Sequence, residues 1–155
     1  MRANALKFAA YIVAQITLKG LYNGIVNSIK YFCNNVKTNG AWDLKSKKEW
    51  KLGNKDHFRF KGTKMRFDDP GNMHFGYVGS VLFPLDILVT GAGVYQIYSK
   101  TSKWYYFVSF FDEPRDAAMV VWGHNLFVSD CLNAVRRVLK AINLGRKNKL
   151  SFYWF

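Results

Sequence analysis

Between Asp68 and Tyr77 the chain crowds two carboxylates, an amide, an imidazole and a phenol into ten residues. Pro70 and the glycines at 71, 76 and 79 punctuate the stretch from Arg66 to Gly79. Pro70 fixes its own φ and biases Asp69 toward extended geometry. Gly71 then lets the backbone turn where a side chain would obstruct it. The pattern predicts a tight turn with a firm backbone, on which the polar groups converge. Such turns carry ligand-binding and catalytic groups disproportionately often. The plainer use of Asp and Asn is to cap their own backbone amides, and for Asp68 alone that use suffices. With His74 inside the cluster, the group as a whole points to function.

A chain of 155 residues, half of them hydrophobic and 17% aromatic, is long and apolar enough for one domain, 1–155, with an ordinary core. Disorder is excluded on the same grounds. The net charge of +13 attracts polyanions: nucleic acid, an anionic membrane surface or an anionic cell-wall polymer. Charge alone does not distinguish them, because attraction to phosphate is blind to sequence. Cys33 and Cys131 stand alone, without metal-site spacing or a disulfide framework, and read as small apolar residues, with a single bridge left open for an oxidising compartment. The run Phe8–Ala14 is too short to span a bilayer and flows into a helical pattern, so no signal peptide is assigned.

The fold class expected is α+β, with N-terminal helices, a small antiparallel sheet and a long C-terminal helix packed on it. Residues 4–36 carry helical stripes through Leu6, Ala10, Val13 and Ile16 and through Ile25, Ile29, Phe32 and Val36, with a break around Gly20–Gly24. Residues 37–66 are polar and basic. Lys45, Lys47, Lys48 and Lys51 interleave with Trp42 and Trp50, as in a groove for a charged polymer with aromatic platforms, or in a solvated lysine-rich loop. Phe58–Phe60 is expected as a short strand. Val94–Tyr98 and Trp104–Phe111 are expected as a hairpin, placing the sheet over roughly 56–111. Asp112–Asp116 opens the last helix, with acids and Pro114 at its start.

Of three histidines, His57 sits in a charged loop and His124 in a helix, where a satisfied, partly buried imidazole is the usual outcome. His74 lies beside acids on the glycine-rich turn and is the acid/base candidate, since an imidazole titrates near neutrality. No metal-ligand spacing or nucleophile elbow is present, so neither a metal nor any other cofactor is expected. Metal-independent acid/base chemistry fits two reactions. In a ribonuclease, His74 is base or acid, Asp69 its partner, and Arg66 or Lys64 the phosphate clamp. In a peptidoglycan glycosidase, Asp43 pairs with Asp69 or Asp68 while Trp42 stacks on a sugar. A membrane-disrupting protein acting through helices 4–36 is a third class.

These residues also carry a resemblance. Val36-Lys37-x-x-Gly40-x-Trp42-Asp43-x-Lys45 is followed by Asp69-Pro70-Gly71-Asn72-Met73-His74-Phe75-Gly76-Tyr77-Val78-Gly79, by Gly91-Ala92-Gly93-x-x-Gln96 and by Asp112-Glu113-Pro114-Arg115-Asp116. Together they resemble the polymorphic toxin type 44 domain (bacterial toxin 44) over about residues 30–127, with a motif core at 36–127. The family's polar positions fall on Asp43, Asp69, Asn72, His74, Tyr77, Asp112 and Asp116. The chain departs from it at Glu113, where the family carries Asp, and at Ala117, where it carries Gln. The resemblance implies the C-terminal part of a larger secreted antibacterial protein, delivered by type VI or related systems and neutralised by a cognate immunity protein. It implies a ribonuclease acting on RNA in the target cell's cytoplasm, while the reading of the residues themselves keeps a peptidoglycan hydrolase of the periplasm as the alternative. The expected catalytic group is His74, Asp69, Asn72, Tyr77 and Asp43. Trp42, Lys45, Lys64, Arg66, Arg115 and Asp116 are expected to bind substrate.

Overall fold

The computed structural model of the chain describes residues 1–37, 39–44, 57–98 and 114–150. Its elements are α1 (Arg2–Val36), the strands β1 (His57–Phe60) and β2 (Thr63–Arg66), then α2 (Asp69–Gly79), α3 (Leu85–Tyr98) and α4 (Pro114–Leu150). The class is α+β, as expected, and the chain is mostly helical.

The helix α1 is a hairpin of two arms. At Gly20 the backbone takes φ 75°, ψ 168°, a left-handed excursion that only glycine makes cheaply. The arms fold back on each other, stacking Phe8 on Phe32 at 5.4 Å and Tyr11 on Tyr31 at 4.0 Å between ring centroids. Asn27 donates to Gln15 across the pair at 2.9 Å. Gly24 permits the approach, since a Cβ there would stand 2.6 Å from the Ile16 Cα. The predicted break is thus a reversal of direction.

The two strands form an antiparallel hairpin in which Phe60 pairs with Thr63 and His57 with Arg66. Its two-residue turn has positive φ at both Lys61 (48°) and Gly62 (81°), the geometry that matches strand twist. Among the described residues the sheet has these two strands. Residues 94–98, expected as a strand, belong to α3, and the expected partner strand 104–111 lies outside the described residues. The last helix rests chiefly on α2 instead of on a sheet, meeting the hairpin through the Phe60–Trp122 ring pair at 5.8 Å.

The central stretch differs most from expectation. Asp69–Gly79 is a helix, with Asp68 preceding it, Asp69 in its first turn and Pro70 at its start, where the missing N–H is no loss. Its glycines serve close packing. A Cβ at Gly76 would stand 2.8 Å from the Val120 carbonyl carbon, and one at Gly123 would stand 2.8 Å from the Tyr77 nitrogen. The helices α2 and α4 therefore touch backbone to backbone, running in the same sense from the Asp69–Arg115 pair to the Tyr77–Phe127 contact. Around this seam lies the core of Phe8, Phe32, Trp42, Val78, Leu88 and Val120.

Candidate functional site

At the start of α2, Asp69 is fully buried and its carboxylate is committed to structure. Arg115 grips it with two bonds, Nε to Oδ1 at 2.9 Å and Nη2 to Oδ2 at 2.5 Å, and the Arg66 backbone N–H donates to Oδ2 at 2.6 Å. One acid thereby ties β2, α2 and α4 together. The bond to Asp69 holds the half-exposed Arg115 guanidinium more firmly protonated than usual. Arg66 in turn makes a two-pronged pair with Asp68, at 3.1 and 2.6 Å. Lys64 is exposed on β2, and its carbonyl accepts from Arg115 at 3.4 Å. Three of the four cations expected to bind substrate, Lys64, Arg66 and Arg115, do gather here, but two of them already face carboxylates.

His74 points elsewhere. Five residues at 100° each place it about 140° around α2 from Asp69, so the acid faces α4 while the imidazole faces α1. The pairing of His74 with Asp69 expected from their closeness in sequence is corrected by this offset: a turn would have brought them together, and a helix separates them. The ring is 2% exposed. Its Nε2 lies 3.1 Å from the Asn4 amide nitrogen, and the edge of Trp42 stands 6.4 Å away, centroid to centroid. The Asn4 amide is placed to donate to Nε2. Trp42 is no open platform: it is buried edge-on against Phe8 and Tyr31.

Tyr77, three residues past His74, is the neighbouring group on the same side of α2. Its hydroxyl donates to Asp130 at 2.5 Å, and Arg2 holds the same carboxylate with bonds of 2.8 and 2.6 Å. Burial, then the Asp130 carboxylate, push the Tyr77 phenol up to about 12. The bonds from Arg2 and Tyr77 keep the Asp130 carboxyl well below the usual range. Beside this triad a groove of about 360 Å³ opens between the first arm of α1 and α4, with Tyr77 and Val81, Leu6 and Ala9, and Asp130 and Arg137 among its lining. Sequence reasoning missed Asp130, Arg2 and Asn4. Arg2 lies 128 positions from Asp130 and Asn4 lies 70 from His74, so no local pattern could have announced them.

The remaining expected residues are dispersed. Asp43 is buried and accepts from the Asn39 N–H at 2.8 Å, closing the turn before it. Asn72 and the buried Asp116 each lie one turn before the Gly76–Val120 contact, level with each other on the α2–α4 pair. Lys45, Asp112 and Glu113 lie outside the described residues. His124 is satisfied as expected: Ser80 gives its hydrogen to the Gly76 carbonyl at 2.6 Å and receives the His124 Nδ1 at 2.9 Å. Cys33 and Cys131, read as small apolar residues with a bridge left open, are exposed and free. Among the described residues no three His, Cys, Asp or Glu side chains gather as a metal site would need, and no helix is long and apolar enough to cross a membrane.

The architecture is that of a small, mostly helical α+β domain with a polar cluster sealed between its N-terminal hairpin and a glycine-seamed helix pair. The family model described as bacterial toxin 44 matches residues 31–129, and the chain belongs to that family. It is a bacterial toxin domain. No curated protein and no solved structure matches it.

Proposed function

We propose that this toxin domain is a metal-independent ribonuclease whose reacting groups are His74 and Tyr77. The observation that carries the proposal is their placement: an imidazole and a phenol adjoin on one side of α2, the phenol lining a groove whose walls bear Arg2 and Arg137 and the imidazole buried beside it behind Asn4. In this mechanism His74 takes the proton of a ribose 2′-hydroxyl, and the oxygen attacks phosphorus. The phosphorane charge is met by the two guanidinium groups, and the 5′-oxygen leaves with the Tyr77 phenolic proton, which the His74 imidazolium then replaces. The Tyr77 phenol, which keeps its proton to about pH 12, serves as a donor and never as the base. For RNA to reach His74, Asn4 must give way, so catalysis includes a displacement of the first turn of α1. Asp69, gripped on both oxygens, holds the scaffold.

A glycosidase needs two carboxylates facing across an open cleft, and Asp69, with no exposure, is poorly placed to be one of them. Within the proposal the chain is delivered into a target bacterium as part of a larger secreted protein, acts on RNA in the cytoplasm and is neutralised by a cognate immunity protein. The test is inducible expression with and without a periplasmic export signal, scoring killing, RNA integrity and cell shape for the parent, His74→Gln and Tyr77→Phe. Killing from the cytoplasm with RNA decay, abolished by His74→Gln and reduced by Tyr77→Phe, is the expected result. Killing only after export, with rounding and lysis, would replace RNA by peptidoglycan as the substrate. Undiminished killing by His74→Gln would point to membrane disruption and remove the enzyme altogether.

A further inference from the structure

The helix α4 is about 55 Å long at 1.5 Å per residue, yet only its first half packs on the body. Every residue from Cys131 to Ile142 is exposed. Along this free half, Val128, Leu132, Val135, Val138, Leu139 and Ile142 recur at intervals of three and four, each between 40% and 59% exposed. They form one apolar stripe that nothing in the described fold covers. From Cys131 to Leu150 the sequence holds no acid, but it holds Arg136, Arg137, Lys140, Arg146, Lys147 and Lys149. Arg136, Arg137 and Lys140 lie about 90–170° around the helix from the centre of the stripe, Arg136 nearest to it.

We propose that the free half of α4 is a docking surface for an anionic lipid bilayer, lying in its interface with the stripe inward. Other occupants fit one feature and not the other. RNA would engage the cations and leave six apolar side chains in water. A second copy, seam against seam, would bury the stripe but bring together two acid-free, cationic helices. An acidic partner helix would need cations on both flanks of the stripe, and of Arg136, Arg137 and Lys140 only Arg136 borders it, on one side beside Leu132. A lipid surface uses both features. Its negative potential reaches over a Debye length of about 8–10 Å, close to the helix diameter, so cations on the far side still contribute. The apolar face meanwhile enters the acyl boundary. Since no described helix can cross a membrane, the helix would lie on the bilayer and not span it.

The experiment is co-sedimentation of the purified full chain with phosphatidylcholine vesicles, with and without phosphatidylglycerol. The expected result is binding only when phosphatidylglycerol is present. The pair Val135→Asp, Leu139→Asp is expected to weaken it at least tenfold, and the pair Arg136→Gln, Lys140→Gln about thirtyfold. All four positions are exposed, and an unchanged helical spectrum and melting temperature confirm that the variants fold. Three results would overturn the proposal. The first is no sedimentation with anionic vesicles. The second is binding that survives the two aspartates, which would make the attraction one of net charge alone. The third is a concentration-dependent dimer, abolished by the aspartates, that does not bind lipid.

Discussion

Replacing Gly123 by alanine should destabilise the domain although alanine is the better helix former. The new Cβ would stand 2.8 Å from the Tyr77 nitrogen and 2.9 Å from the Met73 carbonyl carbon, against the 3.4–4 Å of ordinary contact. Those neighbours are backbone, so no side-chain rotation relieves the overlap, and α2 and α4 must part by about 1 Å. A gap of that size forfeits about a quarter to a half of each dispersion contact along the seam, and overpacking of this kind costs about 3 kcal/mol when the neighbour is rigid. The helix-propensity gain from glycine to alanine returns about 1 kcal/mol. The net loss is about 2 kcal/mol, a fall in melting temperature of about 4–8 °C for a chain of this size. Gly91→Ala is the control: it lies in α3 with no atom within 4 Å of its Cβ, and should raise the melting temperature by about 2–4 °C. Circular-dichroism melts of the parent and both variants decide the matter. If Gly123→Ala melts at or above the parent, the backbone-to-backbone seam is wrong.

Three further outcomes follow from the same geometry. Arg115→Met strands the buried Asp69 carboxylate and should cost about 3 kcal/mol in a denaturant titration; adding Asp69→Asn should restore part of that loss, which a merely local packing defect would not allow. Tyr77 keeps its proton to about pH 12 in the fold, whereas an unfolded tyrosine releases it near its ordinary value of 10.0. The folded state therefore binds the extra proton between those values, and stability should fall as pH rises through that window. In Tyr77→Phe that component of the slope disappears from denaturant midpoints measured against pH. Gly20→Ala meets open space but a φ of +75°, so it should cost about 1 kcal/mol through backbone strain alone, with no change in the apolar core.

The helical hairpin was legible because its signal is local: apolar spacing of three and four interrupted by Gly20. The stretch 69–79 reads as a turn in sequence because glycines are loop formers as well as packing residues. The start signals were present in Asp68, Asp69 and Pro70, but Gly76 is there for Val120, forty-four positions away, and its spacing cannot say so. Val94–Tyr98 reads as strand on β-branched and aromatic content, and the helical context of α3 overrides that weak preference. At the candidate site, His74 and Tyr77 were visible on chemistry alone. Their partners were not, because Asn4 and Arg2 come from the opposite end of the chain, and the true partner of Asp69 is Arg115, not the imidazole that follows it in sequence.

Family similarity begins at residue 31, yet Phe8, wholly enclosed against Phe32, comes before it. It stops at residue 129, one position short of the acceptor for the Tyr77 hydroxyl. A fragment trimmed to those limits would lose the ring that fills the hairpin, the amide that shields His74 and the acid that anchors Tyr77. The packed unit is thus wider than its recognisable motif, and a shortened version of this protein should keep the whole opening helix and at least the first turns beyond Asp130.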